Sequence, residues 1–214
     1  MTPPSSRSSE VPSPIHVLLA EDQAMVRGAL AALLSLEPDL HVVAEVARGD
    51  EVMAAAESTQ PDIALLDIEM PGRDGLSVAG DLHATMPDCR VMILTTFGRA
   101  GYLRRALENG VVGFLLKDAP ATELANAIRR AMRGERVVDP NLALTALSEG
   151  SSPLTDRERD VLRAARTGAT IAEIADSLFL SQGTVRNHLS AAIQKLNAQN
   201  RIEAAHLAEG KGWL

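Results

Sequence analysis

The chain has little that would brace a fold covalently or fill a core with large rings. A single cysteine, Cys89, excludes an intramolecular disulfide and fits a reducing compartment. Aromatic residues make up only 2% of the sequence, so any core must be built from Leu, Val, Ile and Ala. No apolar run approaches the roughly 20 residues needed to cross a bilayer, which predicts no membrane insertion. The opening stretch, MTPPSSRSSEVPSP, has no apolar centre and does not read as a signal peptide. Its Pro/Ser-rich composition predicts a disordered tail over residues 1–13. These absences together predict a soluble cytoplasmic protein. One more is local: no Asp or Glu stands between Ser177 and Ile202, in a chain of formal net charge −7.

At 214 residues the length favours one or two domains. Apolar content of 46% is ordinary for globular protein, so each domain can bury a core. Residues 153–214 carry eight basic and seven acidic side chains, which leaves −8 for residues 1–152. Charge alone therefore does not announce a nucleic-acid binder.

Apolar runs predict strands over Ile15–Ala20, His41–Val46, Ile63–Leu66, Arg90–Thr96 and Gly113–Lys117. Helical spacing predicts helices over Ala24–Leu36, Glu51–Glu57, Leu76–Met86, Ala100–Glu108 and Thr122–Arg133. Five strands alternating with helices make a doubly wound parallel α/β sheet, assigned to residues 14–137. Residues 138–152 lose the alternation and read as a linker with a helical turn or more over Leu142–Leu147. Residues 153–214 read as an all-α domain of four helices: Thr155–Arg166, Ile171–Leu178, Gln182–Leu196 and Arg201–Glu209.

Polar residues stand where the first, third, fourth and fifth strands end: Glu21-Asp22, Asp67, Thr95 and Lys117. In open α/β sheets ligands bind beyond the carboxyl ends of the strands. Taken singly, each residue has an ordinary explanation. Acids suit a helix N-terminus, a threonine ends a strand, a lysine is surface charge, and Phe114 is core. Their joint placement reverses this for all but Phe114. Three carboxylates with no His or Cys form a hard oxygen set suited to Mg²⁺. Lys117 adds a point positive charge and Thr95 a hydroxyl, which together would neutralise a phosphoryl group in transfer. Asp67 can itself accept that group as an acyl phosphate.

In the last third, Thr155 and Glu158 have capping-box spacing. A short amphipathic helix, a Phe179-Leu180 turn and a helix capped by Ser181 then describe a helix-turn-helix. Val185, Leu189, Ala192, Ile193 and Leu196 fall on its inner face. Gln182, Gly183, Arg186, Asn187 and Ser190 fall on the outer. Arg186 suits guanine and Asn187 adenine. Ser181, Thr184 and Lys195 are expected at phosphates, which fix register without reading sequence.

Glu21-Asp22, LLDIEMPGRDG, ILTT and GFLLK, in that order, make residues 15–134 resemble the flavodoxin-like receiver domain of two-component response regulators. LTDRERDVL with IAEIADSLFLSQGTVRNHLSAAIQKLNAQNRIEAA resembles the LuxR-type DNA-binding domain. The pair resembles the NarL/FixJ family, and GTVRNH, NRIEA and Lys211-Gly-Trp-Leu214 look closest to its DesR-like branch. The resemblance implies that Asp67 takes a phosphoryl group from a sensor histidine kinase. Glu21, Asp22, Asp67 and the Glu69 carbonyl would hold Mg²⁺, and Thr95 and Lys117 would contact the phosphoryl oxygens. Thr95 and Phe114 would form the switch that alters the face of the fourth helix, fifth strand and fifth helix. Glu69 would set the acyl-phosphate lifetime. The active form would be a homodimer on promoter DNA, with RNA polymerase as a further partner. Beyond its own phosphorylation and slow dephosphorylation the chain would not be an enzyme. Two other readings stand beside this one: a DNA binder indifferent to phosphorylation, and an Mg²⁺-dependent aspartate-nucleophile phosphohydrolase. The strand–helix connections are too short for the latter's substrate-binding cap.

Overall fold

Four-residue apolar runs with no polar break are what a strand needs when both faces of its sheet are covered. Ile63–Leu66 is such a run, and in the computed structural model all four residues are buried. The structure describes residues 13–96, 98–118, 120–148 and 152–214; the expected tail, apart from Ser13, lies outside them. The strands are β1 (Ile15–Ala20), β2 (Leu40–Val46), β3 (Ile63–Leu66), β4 (Arg90–Thr95), β5 (Gly113–Leu116) and β6 (Val137–Val138). They form one sheet in the order β2-β1-β3-β4-β5-β6, with β1–β2, β1–β3, β3–β4 and β4–β5 paired in parallel. The expectation of five strands is corrected to six. The extra edge strand is two residues long, too short to show a period, and Val137 N–H donates to Val112 O at 2.9 Å.

The helices are α1 (Ala24–Ser35), α2 (Val52–Thr59), α3 (Gly75–Thr85), α4 (Ala100–Glu108) and α5 (Ala121–Met132). They continue as α6 (Pro140–Ser148), α7 (Asp156–Arg166), α8 (Ile171–Ser177), α9 (Gln182–Lys195) and α10 (Arg201–Gly210). The chain divides into two compact units. One comprises residues up to 96 together with 109–137; the other comprises 97–108 together with 138–214. Helix α4, which the chain order places between β4 and β5, thus groups with the C-terminal helices. The expected linker contains a full helix, α6, and residues 149–151 lie outside the described set.

In the first unit, Val17, Leu19, Ile63, Leu65, Met92, Leu94 and Leu115 pack with Leu34 of α1 and Leu124 and Ile128 of α5. Pleating sends the alternate residues to the opposite face, where α2 packs against β1 and β2 and α3 against β4. The strand order reverses direction between β1 and β3. Ala20 and Leu66 are register partners, so the next residues, Glu21 and Asp67, leave the sheet side by side. This is the crevice position where doubly wound sheets bind ligands.

The loop after β3 folds back on its own start. Gly75 N–H donates to Ile68 O at 2.9 Å, and a Cβ on Gly75 would lie 1.9 Å from Asp67 O. Asp74 caps α3 by accepting from Ser77 N–H at 3.0 Å, a role its sequence context leaves open.

In the second unit, α7 and α8 each start with a complete capping box, Thr155/Glu158 and Thr170/Glu173. Ser181 caps α9 and Asn200 caps α10. Val161, Leu162, Ile174, Val185, Leu189, Ala204 and Ala208 share one core with Trp213 and Leu214. Four short helices close around it because each has its own N-terminal stop signal and one small or branched apolar stripe.

Gly75→Ala should destabilise the first unit by about 1–3 kcal/mol, because the added methyl has only backbone to displace. A urea midpoint equal to that of the parent chain would show that the loop gives way freely.

Candidate functional site

Helix α1 starts at Ala24, so Glu21 and Asp22 occupy the short β1–α1 connection. Asp67 closes β3, Thr95 ends β4, and Lys117 follows β5. Glu21, Asp67 and Thr95 are buried, while Asp22 is exposed. Carboxylate oxygens of Glu21, Asp22 and Asp67 all lie within 4.8 Å of one another. The Lys117 ammonium sits 2.6 Å from Glu21 Oε2 and 3.0 Å from Asp67 Oδ2. Asp67 Oδ1 accepts from Ile68 N–H at 2.8 Å, and Glu21 Oε1 from Gln23 N–H at 3.2 Å. Arg27 of α1 donates to the Glu21 carbonyl at 2.6 Å, which ties the first helix to the end of β1.

Burial pushes the Asp67 carboxyl above its ordinary range, and the ion pair with Lys117 opposes that rise. Glu21 is raised for the same reason, against the same ammonium. Burial pulls Lys117 down, but its bonds to Glu21 and Asp67 outweigh this and leave it raised. Three carboxylates against one ammonium leave an excess of negative charge. The donor set is all oxygen, and Asp22 opens it to solvent. These residues fit a hard divalent cation such as Mg²⁺.

Lys117 N–H donates to Thr95 O at 2.9 Å, which fixes the spacing of the β4 and β5 ends. Phe114 is wholly buried and pairs in register with Ile93; Thr95, two residues on, therefore lies on the same face of the sheet. Glu69 is exposed in the β3–α3 loop, two residues beyond Asp67. The structure thus brings Glu21, Asp22, Asp67 and Lys117 into contact, with Thr95 at the adjoining strand end. Cys89 plays no part: it is buried, and burial pushes its thiol up to about 11.

On α9, Gln182, Gly183, Arg186, Asn187 and Ser190 are exposed, and Val185 and Leu189 are buried. Ser181 and Thr184 are occupied with each other, hydroxyl to hydroxyl at 2.8 Å, while Ser181 Oγ also takes Thr184 N–H at 3.0 Å. Lys195, expected at a phosphate, has a partner within the protein. Its ammonium donates to both oxygens of Glu158 at 2.9 and 2.8 Å. Glu158 is buried at the start of α7, where its capping bond holds it, and one turn of α9 brings Lys195 over it. Burial raises the Glu158 carboxyl, but Lys195 and Thr155 outweigh burial and leave it low. The sequence signal was the capping box itself, which buries a carboxylate in want of a cation.

Residues 17–129 match the response regulator receiver domain family, and residues 152–208 match the bacterial regulatory proteins of the luxR family. The chain is 48% identical over 200 residues to the uncharacterized transcriptional regulatory protein YvfU of Bacillus subtilis, covering 94% of this chain and all of that one. It is 47% identical over 199 residues to the transcriptional regulatory protein DesR of the same organism, covering 93% and 98%. Among solved structures, the response regulator ChrA of a heme-sensing two-component system is similar at 32% identity and a TM-score of 0.56, covering 94% of this chain and all of that one.

A carboxyl held above its ordinary pKa binds protons more readily folded than unfolded, so its ionised form lowers stability above the raised pKa. That penalty disappears as pH falls below the unfolded value. Asp67→Asn should therefore raise the urea midpoint at neutral pH in metal-free buffer, and the gain should close by roughly pH 4. A gain that persists at low pH would place its origin elsewhere. For Glu158 the sign is opposite: its lowered pKa stabilises the fold above the ordinary carboxylate range, and this is lost as pH falls. Lys195→Ala should cost about 1–3 kcal/mol of stability by stranding that carboxylate. It should leave the salt dependence of DNA binding unchanged, whereas loss of a phosphate contact would lower the slope by about one.

Proposed function

The chain belongs to the response regulators that join a receiver to a LuxR-type DNA-binding domain, and from that premise we propose that Asp67 is the phosphoacceptor of a sensor histidine kinase. The observation that carries this reading is the Lys117 ammonium bridging Glu21 and Asp67 at the crevice between β1 and β3. Asp67 Oδ attacks the phosphorus of a phosphohistidine, the P–N bond breaks, and an acyl phosphate forms on the carboxylate. Lys117, already held by two acids, pairs with the transferred oxygens, and the Thr95 hydroxyl donates to them. Bound Mg²⁺, held by Glu21, Asp22, Asp67 and the Glu69 carbonyl, would supply the remaining charge neutralisation. Thr95 and Phe114 share a sheet face, so a shift of the hydroxyl toward the phosphoryl group changes the space beside the ring. Glu69, exposed two residues from Asp67, affects the lifetime of the acyl phosphate by influencing water attack on it.

The phosphorylated form acts as a homodimer on promoter DNA, and its contact with RNA polymerase would follow there. Support for the dimer comes from α1, whose exposed residues include Met25, Ala29, Ala32 and Leu33 and no charge, with Leu36 exposed just beyond its end. Support for DNA binding comes from α9, which presents Arg186 and Asn187 to solvent in a segment free of acids. No helix among the described residues is long and apolar enough to cross a membrane. The cytoplasm is the compartment this reading requires.

Radiolabelled acetyl phosphate with Mg²⁺ should label the chain, and Asp67→Ala should abolish the label. A variant still labelled at another residue would sink the assignment. Glu69→Ala should alter the half-life of the acyl phosphate. Against a site selected from random DNA by the labelled protein, Arg186→Ala should cost about 1–3 kcal/mol of binding and relax the preference at one base pair.

A further inference from the structure

The loop that follows Asp67 is gripped by a crossover that adds nothing to the carboxylate set. That crossover joins β2 to α2 and contains a short 3₁₀ turn, Gly49–Glu51. Gly49 N–H donates to Pro71 O at 3.0 Å, and a Cβ on Gly49 would lie 1.9 Å from Arg73 O. The fit is mirrored on the other side of the contact. Gly72 has φ +82, and a Cβ there would lie 2.5 Å from Asp50 Oδ1. Each loop therefore lacks a side chain where the other needs room. Asp50 is kept in its seat by Arg48, which donates to its two oxygens at 2.9 and 2.8 Å.

Glu69 lies inside the gripped loop. Its neighbours Ile68 and Met70 are buried, and Ile68 N–H donates to Asp67 Oδ1 at 2.8 Å. Gly75 N–H closes the loop on Ile68 O at 2.9 Å. The grip on Pro71 and Arg73 fixes the remaining part, starting two residues beyond Glu69. A side-chain ligand can re-aim by changing rotamer, but a backbone carbonyl moves only with its loop. Cations differ in how much such movement they tolerate. Mg²⁺ demands near-ideal octahedral geometry at about 2.0–2.1 Å, whereas Ca²⁺ accepts flexible arrangements at about 2.3–2.6 Å. The oxygens of Glu21, Asp22 and Asp67 are charged and hard, and on chemistry alone they suit either ion. Rigidity is what separates the two.

We propose that the interlock of Gly49 and Asp50 with residues 71–73 makes the site select Mg²⁺ over Ca²⁺, by fixing the loop that carries the Glu69 carbonyl. This rests on the reading of that carbonyl as a metal ligand given above. Gly49 and Asp50 are positioning residues: neither belongs to the carboxylate cluster, and both act through the loop. Asp50 is paired with Arg48, so the interlock adds rigidity without adding net charge. Its loss therefore alters the ratio of the two affinities and not merely the attraction for cations.

Calorimetric titration of the full chain with MgCl₂, and separately with CaCl₂, gives two dissociation constants without any phosphoryl donor. Their ratio cancels losses common to both ions. The parent chain should bind Mg²⁺ more tightly than Ca²⁺. Gly49→Ala should weaken Mg²⁺ about tenfold and Ca²⁺ by less than about threefold. Asp50→Ala, which empties the seat on Gly72 and adds no clash, should shift the ratio in the same direction by less. It decides the matter alone if circular dichroism shows that Gly49→Ala does not fold. The inference is overturned if both ions weaken by the same factor, if neither weakens, or if the parent chain shows no preference for Mg²⁺. A parent chain that binds no Mg²⁺ rejects the metal site, and the selectivity with it. One that binds Mg²⁺ selectively but takes no label from acetyl phosphate rejects the phosphoacceptor reading and leaves the selectivity standing.

Discussion

Two acids leave neighbouring strands side by side at the crevice of the sheet, and burial works against both of them. The Lys117 ammonium makes the arrangement tenable: it lies 2.6 Å from Glu21 and 3.0 Å from Asp67, and its own charge is kept by those two partners. Removing Lys117 would strand two buried carboxylates, whereas removing either acid leaves the ammonium paired with the other. The sheet order, the β1–β3 register and the close approach of Gly75 to Asp67 are all means of holding these groups together. The site still carries more negative than positive charge. That imbalance is what a hard divalent cation can answer.

The sheet and the site were largely legible because both rest on signals a strand cannot hide. A wholly apolar run that ends on an acid, repeated with different polar ends, places Glu21, Asp22, Asp67, Thr95 and Lys117 at one edge without any coordinates. Helix starts were legible for a similar reason, since Thr155/Glu158 and Ser181 write their own caps, while the Thr170/Glu173 box emerges only in the structure. What was missed lacks a local period. β6 is two residues long and exists through a backbone hydrogen bond. α6 reads from the sequence only as a helical turn or more over Leu142–Leu147 within a linker, because five apolar residues among Pro, Asn, Thr and Ser do not declare a full helix. The grouping of α4 with the C-terminal helices depends on backbone contacts from residues 209–214, and no pattern within α4 encodes them.

Lys195 illustrates the same limit at a single side chain. It lies on the acid-free segment, and in an acidic protein that context points toward phosphates. The structure gives its ammonium to Glu158, which caps α7 and is buried. A capping box satisfies two backbone groups with one carboxylate, but the carboxylate remains charged and still needs a cation if it is to be buried. The acid-free stretch and the buried acid are therefore linked. One of the few cations in α9 is committed to holding α7 against it, which leaves Arg186 as the cation on the exposed turn of α9.

The two units keep their polar contacts in different ways, and the difference bears on what can move. At the sheet edge, charges are buried and mutually dependent, so a change in one group must be answered by the others nearby. At the α4 contact, most acceptors are backbone carbonyls that water can replace, and two glycines remove the side chains that would otherwise interlock. A contact of that kind is specific in geometry and modest in net stability, because each hydrogen bond formed replaces one to water.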